Sequence, residues 1–334
     1  MFDKPRTATA DEMPVLDLSL AATPEGRQNL AVELRKAAVG LGFFYIRNHG
    51  TPDDQIDGVF AAADRYFALP LDQRLQCAVD PKTRRGYSPM FTGKVDEYGY
   101  DIKESFDFGF DLPADDPDVL AGKFLHGPNR WPEGLPWFRE AIEQYLAELN
   151  RVSETLLRLF ALSLGMSETF FLQYYNKPML HTRLLHYPPH PPSSADDAFG
   201  IAPHEDIGFV TILSQDPRGG LEVRTRDGEW VGAPFIEGTY IVNLGALFKR
   251  WTNDIYVSSY HRVINRSGRE RFSIATFLNL DYETPVSCVE SCRVGTEPAH
   301  YPPVQSGAYL EGVLRRHEAK VEIADAPVGQ ALGA

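Results

Sequence analysis

The spacing of apolar positions changes character near Met179. Before it, helical spacing dominates. Thr23-Pro24-Glu25 sets a hydroxyl, a proline and an acid where a helix start uses each, and the run that follows predicts a helix to about Leu41, stopped at Gly42. Phe43-Phe44-Tyr45-Ile46 is apolar without alternation, as in a strand buried on both faces, and Asn48-His49-Gly50 ends it. Thr51-Pro52-Asp53-Asp54 repeats the helix-start pattern. From Trp137 to Leu164, residues such as Phe138, Ile142, Tyr145, Leu149, Val152 and Leu156 recur every three or four positions, so a long helix buries one face and ends at Gly165. Between these, Lys82 to Leu125 is rich in Gly, Pro, Asp and aromatics with no sustained period, and is expected to form loops and short strands beside a pocket.

After Met179 the period becomes two. Strands are expected at Leu180–Tyr187, Phe209–Gln215, Leu221–Thr225, Thr239–Leu244 and Phe272–Leu278, separated by turn signals such as Pro188-Pro189, Arg218-Gly219-Gly220 and Asp227-Gly228. Many short strands imply a sandwich or barrel. A last helix from Ser306 to about His317 precedes an Ala/Gly-rich tail. The chain thus reads as mainly β with flanking helices: a helical and loop region over 1–178, a β core over 179–285, and a C-terminal extension and helix over 286–334. The three are expected to pack as one unit.

Composition narrows the classes. At 43% hydrophobic and 12% aromatic, the 334 residues can bury a large core. A net charge of −13 without any cluster of Lys and Arg argues against nucleic acid or an anionic membrane surface as partner. No apolar run approaches the length of a membrane span. Three cysteines, Cys77, Cys288 and Cys292, form neither a disulfide framework nor a metal-binding pair, which fits a reducing cytoplasm. The stretch from Met1 to Pro14 lacks the pattern of a secretory signal, so a soluble, unprocessed protein is expected. Nothing in these patterns encodes an oligomeric state.

Candidate chemistry starts at Pro203-His204-Glu205-Asp206, where an imidazole and a carboxylate two residues apart share one face of an extended chain. His261, in Ser259-Tyr260-His261-Arg262-Val263, can add a third ligand from a neighbouring strand. Two imidazoles and a carboxylate are the facial triad of non-haem Fe(II) oxygenases, which leaves three coordination positions open. His-x-Asp by itself arises often by chance. Arg271-Phe272-Ser273 adds weight, because it offers a guanidinium fork and a hydroxyl on one strand face, and an inward arginine requires an anion, either a ligand or an internal acid. His49 reads as a turn residue, and His181, His186 and His190 as packing or surface residues.

Eight ordered stretches carry a family resemblance. They are Phe43-Phe44-Tyr45-Ile46-Arg47-Asn48-His49-Gly50, His126-Gly127-Pro128-Asn129-Arg130-Trp131-Pro132, His204-Glu205-Asp206 with Leu213-Ser214-Gln215-Asp216, Val242-Asn243-Leu244-Gly245, Arg250-Trp251-Thr252-Asn253, Ser258-Ser259-Tyr260-His261-Arg262-Val263 and Arg269-Glu270-Arg271-Phe272-Ser273. Over nearly its whole length the chain resembles the isopenicillin N synthase-like branch of the 2-oxoglutarate/Fe(II) oxygenases. The resemblance implies a double-stranded β-helix, or jelly roll, with iron near one mouth. It also implies Fe(II) on His204, Asp206 and His261, the distal carboxylate of 2-oxoglutarate on Arg271 and Ser273 with a hydrogen bond from Tyr187, and Glu205 facing away. Tyr87, Lys103 and Phe106 fall in the part that relatives use to line the substrate, as a hydroxyl, a charge and an aromatic wall.

The activity implied is oxidation, usually hydroxylation, of a small organic molecule, with O2 and 2-oxoglutarate consumed and succinate and CO2 released. One position departs from the pattern: Leu185 stands in Leu185-His186-Tyr187-Pro188 where many relatives have an asparagine near the oxoglutarate. Three alternatives therefore stay open: an oxoglutarate-independent oxidase of isopenicillin N synthase type, an ethylene-forming enzyme that fragments oxoglutarate, and a non-catalytic jelly-roll protein that keeps the metal.

Overall fold

Strand alternation decides which side chains share an interior, and two sheets divide that work here. The computed structural model describes residues 4–91, 94–95, 99–189, 199–293, 295 and 297–325. The larger sheet has the order β2 (Val15–Asp17), β3 (Phe43–Arg47), β13 (Thr239–Leu244), β10 (Val210–Gln215), β15 (Arg271–Leu278), β8 (His181–Tyr187), β7 (Glu104–Gly109), β4 (Gly86–Ser88). The smaller has the order β1 (Arg6–Thr7), β12 (Trp230–Gly232), β11 (Leu221–Arg224), β14 (His261–Val263), β9 (Ile201–His204). Two-stranded pairs join β5 (Lys94–Val95) to β6 (Gly99–Tyr100) and β16 (Pro285–Val286) to β17 (Val304–Gln305). The helices are α1 (Pro24–Val39), α2 (Asp53–Phe67), α3 (Leu71–Leu75), α4 (Pro117–Leu120), α5 (Pro136–Ser163), α6 (Ala246–Trp251) and α7 (Ser306–Asp325).

The larger sheet is buried on both faces. One face, with Phe44, Ile46, Leu184, Ile212, Val242 and Ile274, packs on Leu34 of α1, Val59 and Tyr66 of α2, and Phe138 and Phe160 of α5. The other, with Phe43, Tyr45, Leu185, Ile241 and Ala275, meets Leu221, Val223 and Val263 of the smaller sheet. Each fully buried large apolar side chain contributes about 1.5–3 kcal/mol. Two facing sheets joined in this way form the jelly roll, covered on one side by helices. The larger sheet mixes strands from both sides of Met179, since β2, β3, β4 and β7 are hydrogen-bonded into it beside the later strands.

Four details differ from the sequence reading. Thr51 does not cap α2: the cap position is Pro52, no side chain bonds there, and Asp53 and Asp54 supply the favourable charge in the first turn. The segment between Lys82 and Leu125 holds strands as expected, but one of them, β7, is a fully buried six-residue member of the larger sheet rather than a minor strand among loops. β9 ends at His204, so Asp206 lies in the loop that follows it. The last helix continues to Asp325, and the tail beyond it lies outside the described residues.

Candidate active site

Register brings the two histidines together. His204 closes β9, His261 opens β14, and the two are antiparallel partners with ring centroids 4.2 Å apart. Each ring turns Nδ1 to a backbone carbonyl, His204 to Ala202 at 2.8 Å and His261 to Ser259 at 3.2 Å. With the proton on Nδ1, those contacts leave both Nε2 lone pairs facing inward. Both Nε2 atoms are 3.7 Å from Oδ1 of Asp206. Oδ2 of Asp206 accepts from Thr211 Oγ1 at 2.5 Å and Asn243 Nδ2 at 2.6 Å, so β10 and β13 fix the carboxylate from behind and leave Oδ1 for the centre. The three ligand atoms lie within 4.8 Å of one another.

Protonation agrees with metal binding. Burial, reinforced by His261, lowers the His204 pKa to about 4, so its imidazole is neutral, as a ligand must be. Burial alone would raise the Asp206 pKa, but His261, His204 and the donors from Thr211 and Asn243 outweigh it and hold the group ionised. The His261 side is seated by packing: the Phe43 ring meets it edge-on at 5.3 Å, and Ser259 Oγ donates to the Leu41 carbonyl at 2.7 Å. Between Leu41 and Phe43, Gly42 adopts a φ of 74°, and a Cβ there would fall 2.1 Å from the Val257 carbonyl. Only glycine allows the turn to approach this segment so closely.

The triad opens on a cavity of about 410 Å³. Arg271, Ser273 and Tyr187 line the same cavity from β15 and β8. Arg271 is fully buried. Its Nε donates to the Gly219 carbonyl, its Nη1 to Ser273 Oγ at 3.3 Å, and its guanidinium lies 4.5 Å from the centre of the Tyr187 ring. Nη2 has no hydrogen-bond partner among the described residues. A buried N–H of a charged group left without an acceptor costs about 1–3 kcal/mol or more, so the position fits an anionic ligand. Gly220, at a φ of 92°, permits the turn beside Arg271, because a Cβ there would sit 2.6 Å from the Ile264 carbonyl.

Two family models match the chain: residues 13–134 fit the non-haem dioxygenase in morphine synthesis N-terminal region, and residues 168–280 fit the 2OG-Fe(II) oxygenase superfamily. The chain belongs to the 2-oxoglutarate/Fe(II) oxygenases. Azadirone synthase of Melia azedarach is 32% identical, with 91% of this chain and 94% of that protein covered. A 2-oxoglutarate-Fe(II) type oxidoreductase of Emericella nidulans is 34% identical, with 93% of each covered. The structure of full-length Neurospora crassa T7H in complex with alpha-KG superposes with a TM-score of 0.82 at 27% identity, covering 95% of this chain and 100% of that one. As an oxygenase of this family the protein uses Fe(II), 2-oxoglutarate and O2, and the His-Asp-His donor set with one carboxylate oxygen already engaged fits a single ferrous ion.

Other residues of the oxygenase fall differently from the sequence reading. Lys103 lines the cavity, paired with Asp101. Tyr87 and Phe106 do not line it. Both are buried in the core against Tyr66, with the Tyr87 hydroxyl donating to Glu104, because their side of β4 and β7 faces the helices. Glu205 reaches the cavity wall but stands outside the three-residue ligand group. His49 stacks on Tyr240 at 4.0 Å and accepts the Thr51 N–H. His186 lies between Phe67 and Phe272 and bonds to Glu104 and Glu270, while His181 lines the cavity 3.4 Å from Asp107. His190 is outside the described residues. Thr211 and Arg183 went unread in the sequence, where no local spacing marks them, and Asn243 was seen only as part of a family-matching stretch without a role.

Proposed function

We propose that this oxygenase belongs to the isopenicillin N synthase-like branch and hydroxylates a small organic molecule while converting 2-oxoglutarate to succinate and CO2. The observation that carries the reading is Arg271, fully buried with one guanidinium N–H unsatisfied in the cavity that also holds the triad. His204, Asp206 and His261 would hold Fe(II), and Arg271, Ser273 and Tyr187 would hold the far carboxylate of oxoglutarate. When bound, the iron supplies with O2 the oxidising power that no side chain has. The chain's own groups orient and exclude: Thr211 and Asn243 keep Asp206 turned to the centre, and Arg271 with Ser273 fixes the length and direction of a dicarboxylate. Leu185 and Val263 keep the interior between the two dry.

A small-molecule substrate is supported by the size of the cavity, about 410 Å³, and by Neurospora crassa T7H, solved with alpha-KG and thymine. The charge of −13 supports the exclusion of nucleic acid, and three free cysteines support a cytoplasmic setting. No helix among the described residues is long and apolar enough to cross a membrane. We read 1–178, 179–285 and 286–334 as parts of one working unit. The test loads the protein with Fe(II) without oxygen and titrates oxoglutarate. A new visible absorption band, and succinate release once air is admitted, are expected; absence of both would refute oxoglutarate use and favour the oxidase reading.

A further inference from the structure

Beyond the triad and the Arg271 end, the cavity has a second polar end on β8. Alternation turns His181, Arg183, Leu185 and Tyr187 of this strand to the cavity, so Arg183 lies four residues, about 13 Å, along the strand from Tyr187. The neighbouring strand places Asp107 directly opposite Arg183. Nε and Nη2 of Arg183 both donate to Oδ2 of the fully buried Asp107, at 3.1 and 3.0 Å. Nη1 has no partner among the described residues, and the side chain keeps 30% of its surface accessible within a wall of the cavity. Like Arg271, Arg183 is anchored through two of its three nitrogens and leaves one for a ligand, although the anchors differ: Nε and Nη2 here, Nε and Nη1 in Arg271.

The surroundings define what Arg183 meets. Lys103 and Asp101 neutralise each other, and Asp101 also accepts the Ala202 N–H at 2.9 Å, so that pair is a fixed piece of wall. Burial keeps His181 uncharged, with its pKa near 4, despite the nearby Asp107. Arg84 adds a second guanidinium to the lining, near enough to feel the charges of both Arg183 and Asp107, and the apolar part of the wall is Phe277, Phe124 and Leu125, with Leu310 and Leu314 of α7. We propose, resting on the oxygenase reading, that Arg183 binds the anionic group of the substrate, and that the substrate is an amphipathic organic carboxylate whose apolar body lies between Phe277 and α7. An arginine held by its Nε edge is oriented for an acceptor at Nη1, and an anionic acceptor there adds the attraction of opposite charges to the hydrogen bond. A ring or chain longer than the acid group itself is needed to displace water from the apolar wall.

The experiment uses matched probes: 3-phenylpropionic, 4-phenylbutyric and decanoic acids, each with its methyl ester and primary amide. Binding is measured by calorimetry on the full chain loaded with Mn(II) and oxoglutarate, and stimulation of succinate release on the Fe(II) enzyme. At least one acid is expected to bind about tenfold more tightly than its ester and amide, and to stimulate succinate release more. In Arg183→Met that preference disappears while oxoglutarate binding is retained, and Arg183→Lys keeps part of it. If no acid binds more tightly than its neutral partners, including the case in which none binds, the proposal is overturned; it is equally overturned if Arg183→Met keeps the preference. The acid-against-ester comparison on the parent protein decides even where Arg183→Met fails to fold. Failure of the parent to bind oxoglutarate would sink the oxygenase reading instead, a separate outcome.

Discussion

Arg271 and Arg183 stand at two ends of one cavity and are held by opposite means. Arg271 is tied by neutral groups, a Gly219 carbonyl and the Ser273 hydroxyl; its charge reaches Asp216, but no carboxylate among the described residues forms an ion pair with it, so most of that charge remains for a ligand. Arg183 is tied by the Asp107 carboxylate, which cancels much of its charge. The first arrangement suits a tightly gripped anion, the second a ligand that is held loosely and released after oxidation. A buried arginine in a cavity therefore means little until its own anchors are known.

The largest effect is expected where both ends depend on one group. Asp206→Ala should abolish iron binding and reduce succinate release to the metal-free blank, with the fold retained by circular dichroism; bound iron in the variant would contradict the assigned ligand set. Next, Arg271→Leu should raise the KM for oxoglutarate about a hundredfold, two charge-assisted bonds being lost, and Arg271→Lys about tenfold because an ammonium cannot fork. An unchanged KM would erase the difference between the two arginines. A smaller change is expected from Thr211→Val, which removes a donor behind Asp206: iron affinity should fall on the order of tenfold in a chelator competition, with no change in acid-against-ester preference.

The smallest effect separates the two faces of β8. Burial pushes the His186 pKa down, but the bonds to Glu104 and Glu270 outweigh it and the net shift is upward. That contact therefore stabilises fully below the unfolded value of about 6.5 and is lost as pH rises through the higher folded value. Between pH 6 and pH 9 the parent should lose a few degrees more of Tm than His186→Gln, on the scale of about 1 kcal/mol. Cavity-facing His181 has the opposite sign: buried and neutral, it favours the fold above about 6.5 and loses that contribution as pH falls towards 4. Parallel melting curves for parent and His186→Gln across that range would remove the contrast.

The triad was legible because its information is local: a two-residue spacing, a histidine in a strand, and an Arg-x-Ser pair. The jelly-roll half was legible for the same reason, since period two survives in the late strands. β7 was not, because Glu104 and Asp107 interrupt its apolar pattern, and what makes them buryable comes from far away in sequence, Arg74 and His186 for one, Arg183 and His181 for the other. The same strand explains Phe106. The segment was rightly placed beside the cavity, but Phe106 pairs with core-facing Leu184 and it is Asp107 that pairs with cavity-facing Arg183. A shift of one residue exchanges the two faces. Thr211 and Asn243 look like ordinary strand polar residues until Asp206 folds against them.

Leu310 and Leu314 complete the cavity from α7, whereas the proposed iron ligands end at His261 and the arginine–serine pair at Ser273. The α7 part of the wall proposed to meet the substrate is thus encoded in a stretch of the gene that shares no codon with the proposed metal ligands. If that proposal holds, recombination confined to the α7 coding stretch would reshape part of what is oxidised and leave the proposed metal ligands intact.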